Sequence, residues 1–240
     1  MTPLRGHFEM RSLDEVYGDL EGDRHAREAE ISLLERLIPA SPGADRDSLK
    51  RSLVLLIYSH VEGYCKFALL TYVAWINAAG LKCVDASYPL VAATMGKIFA
   101  ALRDPNSKHD YFRNIAPLDA SLHLSAREQI FVESYDRLVG AQVNIADKVV
   151  DTKSNVTPEL LMKLMFQLGL NYREVEKHSG NLSKLLGIRN AIAHGDRLKV
   201  PRDEDVRDFK ETAAAVMAFL QSEVYLALRE GRHRRQVVAA

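Results

Sequence analysis

The chain has little cysteine, no net charge and no long apolar run, and each shortage removes a class of function. Two cysteines in 240 residues, Cys65 and Cys83, offer neither a disulfide framework nor zinc-ligand spacing. Cys65 lies within an apolar helical run and reads as a small core residue. A reducing, cytoplasmic setting is the expectation. Thirty-two basic and 32 acidic residues cancel, so no global field draws in nucleic acid, and RNA binding requires a local basic patch. The longest apolar run, residues 67–76 with Thr71 inside it, falls short of the roughly 18–20 residues that cross a bilayer. The first 19 residues mix His7, Glu9, Arg11, Asp14 and Glu15, which is not the pattern of a signal peptide. A glycine-rich phosphate loop, a Gly-x-Ser-x-Gly element, an internal repeat and a dividing linker are all missing from the sequence.

What is present is helix almost throughout. Apolar residues make up 47% and charged residues 27%, the balance of a globular protein rather than a disordered one. Ser12 and Glu15 have capping-box spacing, and an amphipathic pattern follows to about Ile38, weakened in its first turns by Gly18 and Gly22. Pro39, Pro42 and Gly43 mark a break. A second helix is predicted from between Asp45 and Ser48 to about Ala79, with Gly80 as its cap and Gly63 as the place for a kink. Residues 53–58 are apolar on every side, so this helix is the expected staff of the core. Further helices are predicted from Pro89 to Leu102 with Ser87 as cap, and from a Ser125–Glu128 capping box to about Val139. Residues 144–155 read as a loop or a short extended piece. Thr157-Pro158-Glu159 opens a helix that ends at Gly169. Another starts at Asn181 and ends at His194, and Asp203, Glu204 and Asp205 open the last. The expectation is an all-α antiparallel bundle in one domain over 1–240. It comprises an N-terminal helix at about 12–38, a bundle core at about 45–230, and a mobile, mildly basic tail at 231–240.

The chemistry concentrates in Ile188-Arg189-Asn190-Ala191-Ile192-Ala193-His194-Gly195. Arginine, four to six residues, then histidine is a weak pattern, and the chain has decoys. Arg103 and His109 enclose Pro105, so no single helix carries both. Arg173 and His178 enclose a charged spacer that reads as a solvated turn. Only Arg189 and His194 have a small, apolar spacer and a glycine cap directly after. On a helix, five residues advance about 500°, which leaves the two side chains ~140° apart; a second copy of the helix could complete the site. Imidazole can move a proton at a ribose 2′-hydroxyl or a leaving 5′-oxygen. Guanidinium can hold the phosphate and stabilise charge in the transition state. The structural alternative is an Arg189 that pairs with a carboxylate such as Glu62 and a His194 that caps its helix. His60 and Glu62 are two apart and make a poor metal pair. Tyr64, Phe67, Tyr72 and Trp75 read as core or interface, and the Arg232–Arg235 cluster as a solvated tail.

The 188–195 run resembles the Arg–polar–x–x–x–His signature of HEPN-domain proteins. Residues 53–68, LVLLIYSHVEGYCKFA, look like the early core helix of the MAE_28990/MAE_18760-like HEPN family. Asp151-Thr152-Lys153-Ser154-Asn155-Val156, with Leu160, Leu164 and Leu168-Gly169-Leu170, look like that family's segment before the signature helix. The resemblance implies a HEPN-type antiparallel helical bundle with additional helices, and a metal-independent endoribonuclease without cofactors. It places Arg189 and His194 at the catalytic positions and Asn190 at the polar one, with Glu62 at an acidic position on the early helix. It further implies an RNA substrate, a homodimer through the 181–194 helix, and an antitoxin or phage-defence partner; no membrane association is expected from the short apolar run. Some HEPN toxins carry a tyrosine two residues after the histidine, where a partner attaches AMP; Asp196 stands there in this chain. The competing expectation is a non-catalytic HEPN module that binds a partner protein or ligand.

Overall fold

A computed structural model describes residues 11–152, 155–196 and 198–236. Among the described residues, ten α-helices and one 3-10 turn follow one another, and β-structure is limited to two isolated bridges. The chain is all-α.

The first helix, α1 (Leu13–Leu37), opens on the expected capping box: the Ser12 amide donates to the Glu15 carboxylate at 2.7 Å, and the Glu15 amide donates to the Ser12 hydroxyl. Gly18 and Gly22 do not interrupt it, because Val16, Leu20 and Ile31 are buried. The second, α2 (Gly43–Ala78), starts slightly earlier than its polar residues suggest and runs unbroken for 36 residues, about 54 Å at ~1.5 Å per residue. Gly63 is no kink. Its missing side chain makes room for the Arg27 guanidinium, which a Cβ there would meet at 2.6 Å. Leu53, Val54, Ile57, Tyr58, Tyr64 and Tyr72 are all buried, so α2 is the staff of the core and its tyrosines are core residues. Cys65 is fully buried beside them, and burial pushes its thiol up to about 12. By length and apolarity α2 could cross a membrane, but half of its most apolar window is buried within the bundle.

Between α2 and the signature helix the structure departs from the sequence reading. The predicted 89–102 helix is two helices, α3 (Tyr88–Thr94) and α4 (Gly96–Arg103). Met95 is buried at the joint with φ −78° and ψ 4°, the Thr94 hydroxyl donates back to the Leu90 carbonyl, and Gly96 restarts the chain at low helix propensity. Ser87 precedes α3 in extended geometry without a capping hydrogen bond from its side chain. The Pro117 region contains a one-turn helix, α5 (Phe112–Ile115). The next helix, α6 (Ala120–Val139), is capped by Asp119, which accepts the Leu122 amide at 2.9 Å, so Ser125 lies inside the helix rather than at its start. Residues 144–152 form a loop with the 3-10 turn Asp147–Val149. Asn77 fixes this loop by donating to the Ile145 carbonyl and accepting the Ile145 amide.

Thr157 caps α7 (Pro158–Gln167) as expected, accepting the Leu160 amide at 3.1 Å. The charged stretch between Arg173 and His178 is not a turn but a short helix, α8 (Arg173–Lys177), because Val175 is fully buried beneath it. The signature helix α9 (Ser179–Ala193) buries Leu182, Leu185, Ile188 and Ile192 and packs chiefly on α2. The final helix, α10 (Asp203–Arg229), packs on α1, α2 and α9.

The expectation of a mobile tail from 231 is corrected as far as 236. His233 is buried, its ring meets Trp75 edge-on at 5.3 Å, and its carbonyl accepts the Ser87 amide. Arg232 pairs with buried Glu223 at 2.9 Å. The apolar patch around Trp75 and the carboxylate of Glu223 supply the partners that local sequence does not reveal.

Candidate active site

The crossing of α2 and α9 holds Arg189. Its guanidinium carbon lies 4.5 Å from the centre of the Tyr58 ring, and its Nη1 donates to the Asn190 side-chain oxygen at 2.9 Å. The Tyr58 hydroxyl donates in turn to the Asn155 side-chain oxygen at 3.2 Å. Burial, and then the negative charge of Glu62, push the Tyr58 hydroxyl up to about 12, so it stays a neutral donor. The Thr152 hydroxyl lies 3.5 Å from Glu62 Oε1. One cationic head is therefore seated on an aromatic face. The ring is tied to the loop before α7, and a carboxylate stands next to it.

Glu62 is not an ion-pair partner of Arg189 among the described residues. The simple Arg189–Glu62 pair considered above does not form; the tyrosine lies in its place. His60 faces α1 instead, with Nε2 3.1 Å from Glu30, so His60 and Glu62 belong to different surfaces. No three His, Cys, Asp or Glu side chains gather in a metal-binding group among the described residues.

His194 is the C-cap of α9 and is exposed. The chain reverses there in a Schellman turn: the Asp196 amide donates to the Ala191 carbonyl, and the Gly195 amide to the Ile192 carbonyl. Gly195 has φ +90°, which favours glycine. Asp196 stands where a modified tyrosine would be and organises the loop, accepting the Leu198 and Lys199 amides. Arg51 of α2 donates to the Asp196 carbonyl at 2.6 Å and clamps the loop to α2. At the start of α10, buried Asp205 is tied to Arg202 and Lys184, and those cations hold its carboxyl far below the usual carboxylate range. The site's ends are thus fixed, while no hydrogen bond or ion pair among the described residues joins Arg189 to His194.

Sequence reasoning placed Arg189, Asn190, His194 and Glu62 but missed Tyr58, Asn155, Thr152 and Arg51. One signal was available: Tyr58 precedes Glu62 by four residues, so both lie on one side of α2. Nothing local pointed to Arg51.

A helical bundle whose signature helix ends in Arg-Asn-x-x-x-His against its longest core helix has the layout of a HEPN domain. The RiboL-PSP-HEPN family model matches residues 23–225, and the chain belongs to that family. The match runs from α1 into α10 and includes every residue of the site. It names RiboL-PSP-HEPN and not the MAE_28990/MAE_18760-like group, so the resemblance holds at the level of the superfamily. No curated protein and no solved structure matches the chain.

Proposed function

We propose that this protein is a metal-independent endoribonuclease of the HEPN type that acts as a homodimer. In this reading a ribose 2′-oxygen attacks the adjacent phosphorus and the bond to the 5′-oxygen breaks. The products are a 2′,3′-cyclic phosphate and a 5′-hydroxyl. Arg189 holds the phosphate, and the two copies of His194 take the proton from the 2′-hydroxyl and deliver one to the leaving oxygen. Asn190 and the Tyr58 ring orient Arg189, and Glu62 supports the site by holding the loop at Thr152. The observation that carries the reading is the seated Arg189 guanidinium with an exposed His194 five residues on, at the C-terminal end of the same helix.

The outward side of α9 supports the dimer. Ser183 and Gly187 are exposed at a four-residue spacing with Ala191, and a Cβ on Gly187 would meet nothing within 4 Å. A second α9 can approach closely along such a surface, and a two-fold axis there brings both Arg–His pairs to one groove. The family resemblance extends the proposal to a toxin or phage-defence effector restrained by a partner protein.

The test is cleavage of single-stranded RNA in EDTA. Arg189→Ala and His194→Ala should each lower the rate by roughly 100-fold or more, with a cyclic phosphate on the product. Equal rates in all three proteins would remove these residues from catalysis. One observation favours a non-catalytic interaction module: Arg189 already has partners within a single chain. That reading predicts a monomer by light scattering and no cleavage by any preparation.

A further inference from the structure

The large aromatic side chains range from fully buried to largely exposed. Tyr64 and Tyr72 are core, but Tyr88 and Phe166 are 72% and 65% exposed. Both line one groove of about 660 Å³ between α3, α4, the end of α7 and the 3-10 turn, with Phe99 and Arg103 also on its walls. Its size suits a small organic group. No carboxylate lines it. The Arg103 guanidinium lies 5.5 Å from the Phe99 ring centre, and that of Arg235 lies 4.8 Å from the Tyr88 ring centre. Among the described residues neither arginine pairs with an acid; the Arg103 guanidinium donates no hydrogen bond, and that of Arg235 donates only to the carbonyls of Ala86 and Cys83. Helix α4 contains no acid, and its Arg103 lines the groove. In a chain with no net charge, this is a local basic patch set among open rings.

The groove is held in shape. Gly169, at φ +71°, lets the end of α7 close against α3, and a Cβ there would lie 3.2 Å from Pro89. Phe166, three residues earlier, is thereby set beside the α3 wall. One loop joins the groove to the candidate active site. Val149 borders it, and Thr152, at most ~10 Å further along the chain, contacts Glu62.

We propose that this groove is a binding site for single-stranded RNA, with bases stacked on Tyr88 and Phe166 and phosphates held by Arg103 and Arg235. The inference deepens the ribonuclease reading and rests on it for the identity of the strand. Exposed rings give sequence-tolerant stacking, and guanidiniums without an acidic partner beside them supply the complement to phosphate. An apolar protein segment would fill the groove without using either arginine.

The experiment measures binding of a labelled single-stranded oligoribonucleotide by fluorescence anisotropy, with full-length His194→Ala protein so that the strand is not cut. Tyr88→Ala and Phe166→Ala, each added to that background, should raise Kd roughly fivefold or more. Phe166→Trp should preserve binding and Phe166→Leu should not. Both side chains are largely exposed, so folding is expected to survive, and circular-dichroism melts check it. Alanine variants within about twofold of the parent, a parent that does not bind, or Leu as effective as Trp would each overturn the proposal; the last result points to an apolar protein partner. Failure of the ribonuclease reading has a separate signature: RNA binding that depends on Tyr88 and Phe166 without cleavage by the wild type.

Discussion

At the scale of single residues, Tyr58 does most to define the candidate site. Its ring carries the Arg189 cation, its hydroxyl ties Asn155, and its body fills the core at 2% exposure. These roles separate by substitution. Tyr58→Phe keeps the ring and removes one hydrogen bond, which should cost about 0.5–1.5 kcal/mol of stability and leave kcat nearly unchanged. Tyr58→Leu removes the aromatic face, worth about 0.5–2 kcal/mol to a cation, and should lower kcat about tenfold by letting the guanidinium wander. Denaturant melts paired with single-turnover cleavage check both. A kcat that falls equally in the two variants would place the effect in the hydroxyl rather than the ring.

At the scale of elements, helix starts are legible where a side chain caps its own helix. Ser12 and Thr157 act within three residues, and the structure keeps both. The start of α6 misled because Ser125 and Glu128 mimic a capping box while Asp119, upstream, captures Leu122 first. Helix ends depend on glycine at positive φ, and two such ends make a graded prediction. Gly195→Ala meets nothing within 4 Å, so its cost is the left-handed backbone alone, about 1 kcal/mol. Gly169→Ala pays the same cost and also presses on Pro89 at 3.2 Å, and should lose about 1 kcal/mol more. Urea denaturation of the two variants gives the order; a larger loss at Gly195 would contradict the contact.

At the scale of the whole molecule, the segment after α10 closes the bundle, and this should appear as a pH dependence. Burial holds the His233 imidazole below its ordinary value of 6.5, and Arg234 lowers it further, against a bond from the Ala227 backbone that raises it. The folded protein therefore resists a proton that the unfolded chain accepts. Stability should fall as pH drops below about 6.5, until the folded imidazole itself titrates. His233→Phe should flatten part of that slope. The remainder belongs to His60, which burial also lowers, against the raising charge of Glu30. Melting temperatures between pH 7.5 and pH 5 test this; an unchanged slope in His233→Phe would show that the tail imidazole is not sealed.

The sequence by itself determined the helical class, the central α2, most breaks and the Arg-Asn-x-x-x-His run, since periodicity, caps and short motifs act within a few residues. Only the tertiary structure decided what those residues meet. Tyr58 and Asn155 are 97 residues apart in the chain and share a hydrogen bond because α2 and the loop before α7 converge. Tyr88, Arg103 and Phe166 come from separate segments and line one groove, and Arg235, from a fourth, lies over the Tyr88 ring. The tail looked solvated because charge is all that local sequence displays. It is packed because Trp75 and Glu223 offer an apolar surface and a buried carboxylate that only the assembled bundle brings to it.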